Sequence, residues 1–95
     1  MQTGRKERRV AVNVPARLEI PGDPIVVERV ALKNISVAGA RILAKRYCQI
    51  HERVVFCDMD GAFRVDAEVI YCRPLLDGQC AIGLKFDEAA AGISG

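Results

Sequence analysis

The chain has 95 residues, 51% of them hydrophobic, and a formal net charge of +2. That length supports one small core and a single domain over residues 1–95. The charge is too small to imply a polyanion partner by itself; no apolar run nears the ~18 residues that span a bilayer, so no membrane insertion is expected; and Met1-Gln2-Thr3-Gly4-Arg5 lacks the apolar segment of a secretory signal, which leaves the cytoplasm as the expected compartment.

Residues 1–8 read as a flexible arm. Arg5-Lys6-Glu7-Arg8-Arg9 packs four cations and one anion into five positions. From residue 9 the apolar period becomes two. Val10, Val12, Val14, Leu18 and Ile20 share one parity, while Arg9, Ala11, Asn13, Arg17 and Glu19 take the other. That alternation predicts a half-buried strand, with Pro15 at a bulge or an edge. Pro21-Gly22-Asp23-Pro24 reads as a turn into a second strand from Ile25 to about Lys33. Asn34 to Gly39 breaks the pattern as a turn. A third strand follows over Ala40 to Ala44, with Ile42 inward.

Residues 45–51 are polar and irregular, and Val54 to Cys57 reads as a fourth strand. Asp60-Gly61 is the signal of a two-residue hairpin, whose type I′ form needs positive φ. In the fifth strand Phe63, Val65, Ala67, Val69 and Tyr71 alternate with Arg64, Asp66 and Glu68, which predicts that the first set faces the core. Pro74 ends it. Asp77-Gly78 is a second two-residue signal, and Cys80 to Phe86 forms the sixth strand. The alanine-rich stretch from Asp87 to Ile93 suits a short helical turn capped by Asp87. Six short strands joined mostly by tight turns argue an all-β chain folded as a six-stranded antiparallel barrel over 9–86, with a tail at 87–95. Closure also removes the exposed edges of so small a sheet.

The candidates for catalysis and metal binding are weak. Cys48, Cys57, Cys72 and Cys80 form no C-x-x-C pair, and His51 is the single histidine. Zinc sites favour closely spaced ligand pairs, so no metal is expected. Cys80 is in phase with Ile82, Leu84 and Phe86 and reads as a small buried hydrophobe. No serine or cysteine has a visible base partner, so the chain does not read as an enzyme. Asp58 and Asp60 suit a turn better than an acid/base pair. Arg41, Lys45 and Arg46 read as a solvated basic face, with a ligand-side or partner-side contribution as the alternative.

Two polar signatures remain. Arg5 and Arg9 form an R-x-x-x-R. Asn34-Ile35-Ser36-Val37-Ala38-Gly39 forms an N-x-S-x-x-G. An arginine fork can donate two parallel hydrogen bonds to a phosphate or to guanine O6 and N7, and its flat face stacks on a purine. Asn34 can read a base edge or fix the turn. Ser36 can bond a phosphate or the local backbone. Gly39 permits positive φ and close backbone approach to a ligand. Each signature alone is an ordinary frayed terminus or an ordinary Asx/Ser turn. In this order, followed by the barrel pattern, they resemble the PilZ domain over roughly residues 5 to 88. Ala40, Ile42 and Ala44, and the G-x-x-F formed by Gly83 and Phe86, continue the likeness. Asn34 stands where that family more often has Asp.

The resemblance implies a PilZ-like, split-barrel type of fold and a cytoplasmic bacterial receptor for cyclic di-GMP. It implies that Arg5, Arg9, Asn34, Ser36 and Gly39 hold the ligand, with Arg8 and Lys6 helping through their field; Arg41, from the basic run after the third strand, is a further secondary candidate. No cofactor beyond this ligand is implied. Output is expected through an unidentified downstream protein partner. Two other readings are a small basic barrel binding single-stranded nucleic acid and a ligand-independent adaptor. Single-strand binders stack bases on aromatic residues; Phe63 and Tyr71 share the core parity here, which disfavours nucleic acid.

Overall fold

The computed structural model describes residues 10–87. The arm at 1–8, Arg9 and the helical turn expected in the C-terminal tail fall wholly or almost wholly outside these residues; Asp87 is the last one described. Six strands build the described part: β1 (Val10–Ile20), β2 (Val26–Ile35), β3 (Gly39–Ala44), β4 (Arg53–Asp58), β5 (Arg64–Pro74) and β6 (Cys80–Phe86). They close into an antiparallel barrel in the order β1-β2-β3-β6-β5-β4. The expected barrel and its strands are therefore present, with ends moved by one or two residues.

Alternation drives the packing. Leu18, Ile42, Val69 and Ile82 are fully shielded, and Phe56 is 1% exposed. Phe56, Phe63 and Phe86 meet in a ring cluster with centroids 6.0–6.3 Å apart. Burying such side chains contributes about 1.5–3 kcal/mol each. Cys80 is buried in phase with Ile82, Leu84 and Phe86, as its parity predicts. All four cysteines are free thiols. Burial pushes the Cys48 thiol up to about 11, and its backbone N–H donates to Cys72 Sγ at 3.4 Å.

Four expectations need correction. Val10 and Val14 have the inward parity but stay 46% and 45% exposed. The reason is length: β1 pairs with β4 only over Ala16–Glu19, so the first half of β1 projects past its neighbour. Pro15 sits outside that ladder, at an edge, as proline requires.

The two Asp-Gly turns are also longer than two residues. Gly61 and Gly78 have φ of +79° and +88°, but Asp60 and Asp77 are not at positive φ. A type I′ turn needs both central residues there. Instead Gly61 N–H returns to the Asp58 carbonyl at 3.1 Å, and Asp58 N–H to the Phe63 carbonyl at 3.2 Å. Asp58 Oδ1 accepts from Phe63 N–H at 3.3 Å, so Asp58 serves the turn. In the second hairpin Leu75 N–H bonds Gln79 O at 2.7 Å, leaving a three-residue loop with glycine last, a common hairpin form.

Gly39 opens β3 and is not among the residues at positive φ. Tyr71 does not face the core. Both changes bear on the site.

Candidate functional site

Three β-bulges lie toward one end of the barrel. The β1–β2 register shifts between Ala11 and Val14. The β2–β3 register shifts between Leu32 and Asn34. The β5–β6 register shifts between Val69 and Tyr71. A bulge adds one residue to one strand and re-aims the side chains beyond it. Leu32 pairs with the inward Ile42, yet Asn34 pairs with Arg41. Arg41 lies between buried Ala40 and Ile42, so it points outward, and Asn34 with it. On β5, Ala67 and Val69 are inward, and after the bulge it is Cys72 that packs on the core. Tyr71 is thereby turned onto the outer wall.

The outcome is a row across five strands: Ala11, Asn34, Arg41, Gly83 and Tyr71. It borders a pocket of about 260 Å³ on the outer wall. Asn34, Gly39, Arg41, Tyr71, Gly83 and Lys85 line it, with Ser36 behind them. Two cations, Arg41 and Lys85, are exposed at its sides, so an anion is the favoured guest.

Ser36 is 5% exposed. Its Oγ accepts the Ala38 N–H at 3.1 Å, and its own N–H donates to the Gly39 carbonyl at 2.9 Å. These bonds fold the three residues between β2 and β3 into a compact turn. Phe86 N–H donates to the Ala38 carbonyl at 2.8 Å, which ties the turn to the end of β6. Gly39 is required there by crowding. A Cβ would lie 2.1 Å from the Leu84 carbonyl oxygen. The close approach is thus to the neighbouring strand of the protein itself. Gly83 is crowded from outside: a Cβ would lie 2.2 Å from Tyr71 Cε2. The Arg73 guanidinium sits 5.6 Å from the centre of the same ring.

Beside the pocket, Lys85 pairs with Glu68 across β5–β6. Glu68 also meets His51, and this hydrogen bond holds its carboxyl below the ordinary value. His51 is a surface loop residue, 79% exposed at its side chain.

Of the residues expected at the site, the fold brings Asn34, Ser36, Gly39 and Arg41 together. Arg5, Arg8 and Arg9 are outside the described residues. Val10 pairs with Ile35, so the first described residue of β1 lies beside the turn. Alternation alone missed Tyr71, Gly83 and Lys85. One signal was available: Ile70 is apolar at a position where the fifth strand should be polar, the trace of a bulge. A glycine inside a strand, as at Gly83, is another mark of close approach.

The sequence profile of the PilZ domain matches residues 3–92. The chain belongs to the PilZ domain family. No curated protein matches it. Among solved structures it is similar to the PilZ domain with c-di-GMP of YcgR from Escherichia coli, at 19% identity and a TM-score of 0.64. The match covers 87% of this chain and 77% of that one. At that identity the likeness shows the shared fold.

Proposed function

We propose that this PilZ domain is a receptor for cyclic di-GMP and works by binding rather than catalysis. Arg5 and Arg9 grip the ligand from the arm. Asn34 and the turn through Ser36 to Gly39 present the other side of the site, and Arg41 adds charge. Arg8 contributes field alone. Ser36 acts mainly by shaping the turn, because its hydroxyl is buried and accepts a backbone N–H.

The observation that carries this reading is the pairing of Val10 with Ile35. Arg9 directly precedes Val10, and Ser36 directly follows Ile35. The register therefore supports an arm that starts next to the turn. The ligand's two phosphates and two guanines suit a site with cations on both sides and a side-chain amide between them. Binding brings residues 5–9 against the barrel and creates a surface for a protein partner, which is a disorder-to-order switch. The cytoplasm is the compartment that fits this role; among the described residues no helix is long and apolar enough to cross a membrane.

A thermal-shift comparison tests it. A ligand that binds only the folded state raises apparent stability. Cyclic di-GMP should raise the unfolding midpoint, while GTP and a single-stranded oligonucleotide should not. Stabilisation by the oligonucleotide alone would replace the receptor with a nucleic-acid binder.

A further inference from the structure

We infer that Tyr71 is the platform on which a purine base of the ligand stacks, an inference that rests on the receptor reading above. The bulge between Val69 and Tyr71 turns this ring out of the core. The side-chain-free surface of Gly83 makes room for it: Cε2, Cδ2 and Cζ lie 2.2, 2.6 and 2.8 Å from where a Cβ would stand. The ring is half-buried and is the one aromatic group lining the pocket among the described residues. Phe56 and Phe86 are buried in the core, and Phe63 packs against it.

The ring covers Gly83 and also lines the pocket, where a flat apolar partner can meet it. A purine is such a partner, because base–aromatic stacking is favourable for any base. The surroundings select for it. Asn34 and Arg41, in the same row, offer a side-chain amide and a planar fork at the edge of a stacked base. The fork matches guanine O6 and N7, and the amide can both donate and accept at a base edge. Arg73, 5.6 Å from the ring centre, places a cation on the same aromatic system and favours an anionic guest. The hydroxyl is not required for stacking, so phenylalanine should replace tyrosine here.

The chain has two tyrosines and no tryptophan, which gives a direct readout. In a Tyr47→Phe variant, all tyrosine emission comes from Tyr71. Cyclic di-GMP is titrated by calorimetry and by this emission. Stacking on guanine should quench the emission along the same isotherm as the heat. Tyr71→Phe should keep affinity within about twofold, and Tyr71→Leu should lose roughly tenfold or more. Circular dichroism verifies that each variant is folded. If the parent binds and folded Tyr71→Leu binds equally well, or if saturation leaves the emission unchanged, the platform is wrong and the receptor reading stands. If the parent gives no binding heat and no stabilisation with cyclic di-GMP, both fall together.

Discussion

The Tyr71 ring fills the space that a side chain on Gly83 would need, with Cε2 2.2 Å from the Cβ position. The two residues pair across β5 and β6 just beyond a register shift. Each therefore explains the other: the glycine admits the ring, and the ring covers the glycine's outer face. Gly83→Ala should destabilise the barrel by about 1–3 kcal/mol, the usual cost of forcing extra volume into packed space. In a Tyr71→Ala background the same change should cost less than about 1 kcal/mol, since neighbours that share a contact are not additive. Urea unfolding of the four proteins gives this cycle. Equal costs in both backgrounds would remove the ring as the obstacle.

Gly39→Ala should be harder to absorb. Its obstacle is the Leu84 carbonyl, 2.1 Å from the Cβ position, and a strand carbonyl cannot rotate away. A loss of about 2 kcal/mol or more is expected, unrelieved by Tyr71→Ala. Urea midpoints check it. The cause differs from the one the sequence suggests, because Gly39 has ordinary strand geometry and positive φ is not involved.

These two glycines show what was legible. The barrel, its six strands and the turn between Asn34 and Gly39 follow from period-two alternation and from Gly, Pro and Asp punctuation. The bulges do not. Alternation counts one residue per step, so an extra residue silently inverts every side chain after it. Asn34 and Tyr71 both lie beyond such a step, and Tyr71 was misplaced for that reason. The exposure of Val10 and Val14 was hidden for another: it depends on where β4 stops, which no local pattern in β1 records.

Stability should also depend on pH through one cross-barrel pair. Arg64 Nη1 and Nη2 donate to Glu19 Oε2 and Oε1, both at 2.9 Å. This hydrogen bond, aided by the charge of Arg64, lowers the Glu19 carboxyl from its ordinary 4.5. A carboxyl whose folded value lies below its unfolded one stabilises the fold above the unfolded value. That contribution is lost as pH falls from 4.5 through the lowered folded value. Wild-type protein should therefore lose more stability than Glu19→Gln between about pH 5 and pH 3. Urea midpoints at several pH values check it, and parallel curves would contradict it.

The arm should change state with ligand. Residues 2–9 contain no apolar side chain, so nothing there offsets an ordering cost of roughly 1–2 kcal/mol per residue. A dianion would supply charge-assisted bonds in compensation. Amide hydrogen exchange should show residues 3–9 unprotected in the free protein and protected at saturating cyclic di-GMP. Protection without ligand, or none with it, would mean that another part moves.

If cyclic di-GMP is held by Arg5 and Arg9 against the Asn34–Gly39 turn, as proposed, calorimetric titration of arginine variants shows it most directly. Charged hydrogen bonds contribute on the order of 1.5–3 kcal/mol each. Arg9→Ala should therefore weaken binding about a hundredfold. Arg5→Lys should also weaken it, because an ammonium lacks the planar fork. Arg8→Ala should change affinity little. Equal losses for Arg8→Ala and Arg9→Ala, or full affinity in Arg5→Lys, would contradict the assignment, and a wild-type protein that gives no binding heat and no stabilisation with cyclic di-GMP would contradict the receptor itself.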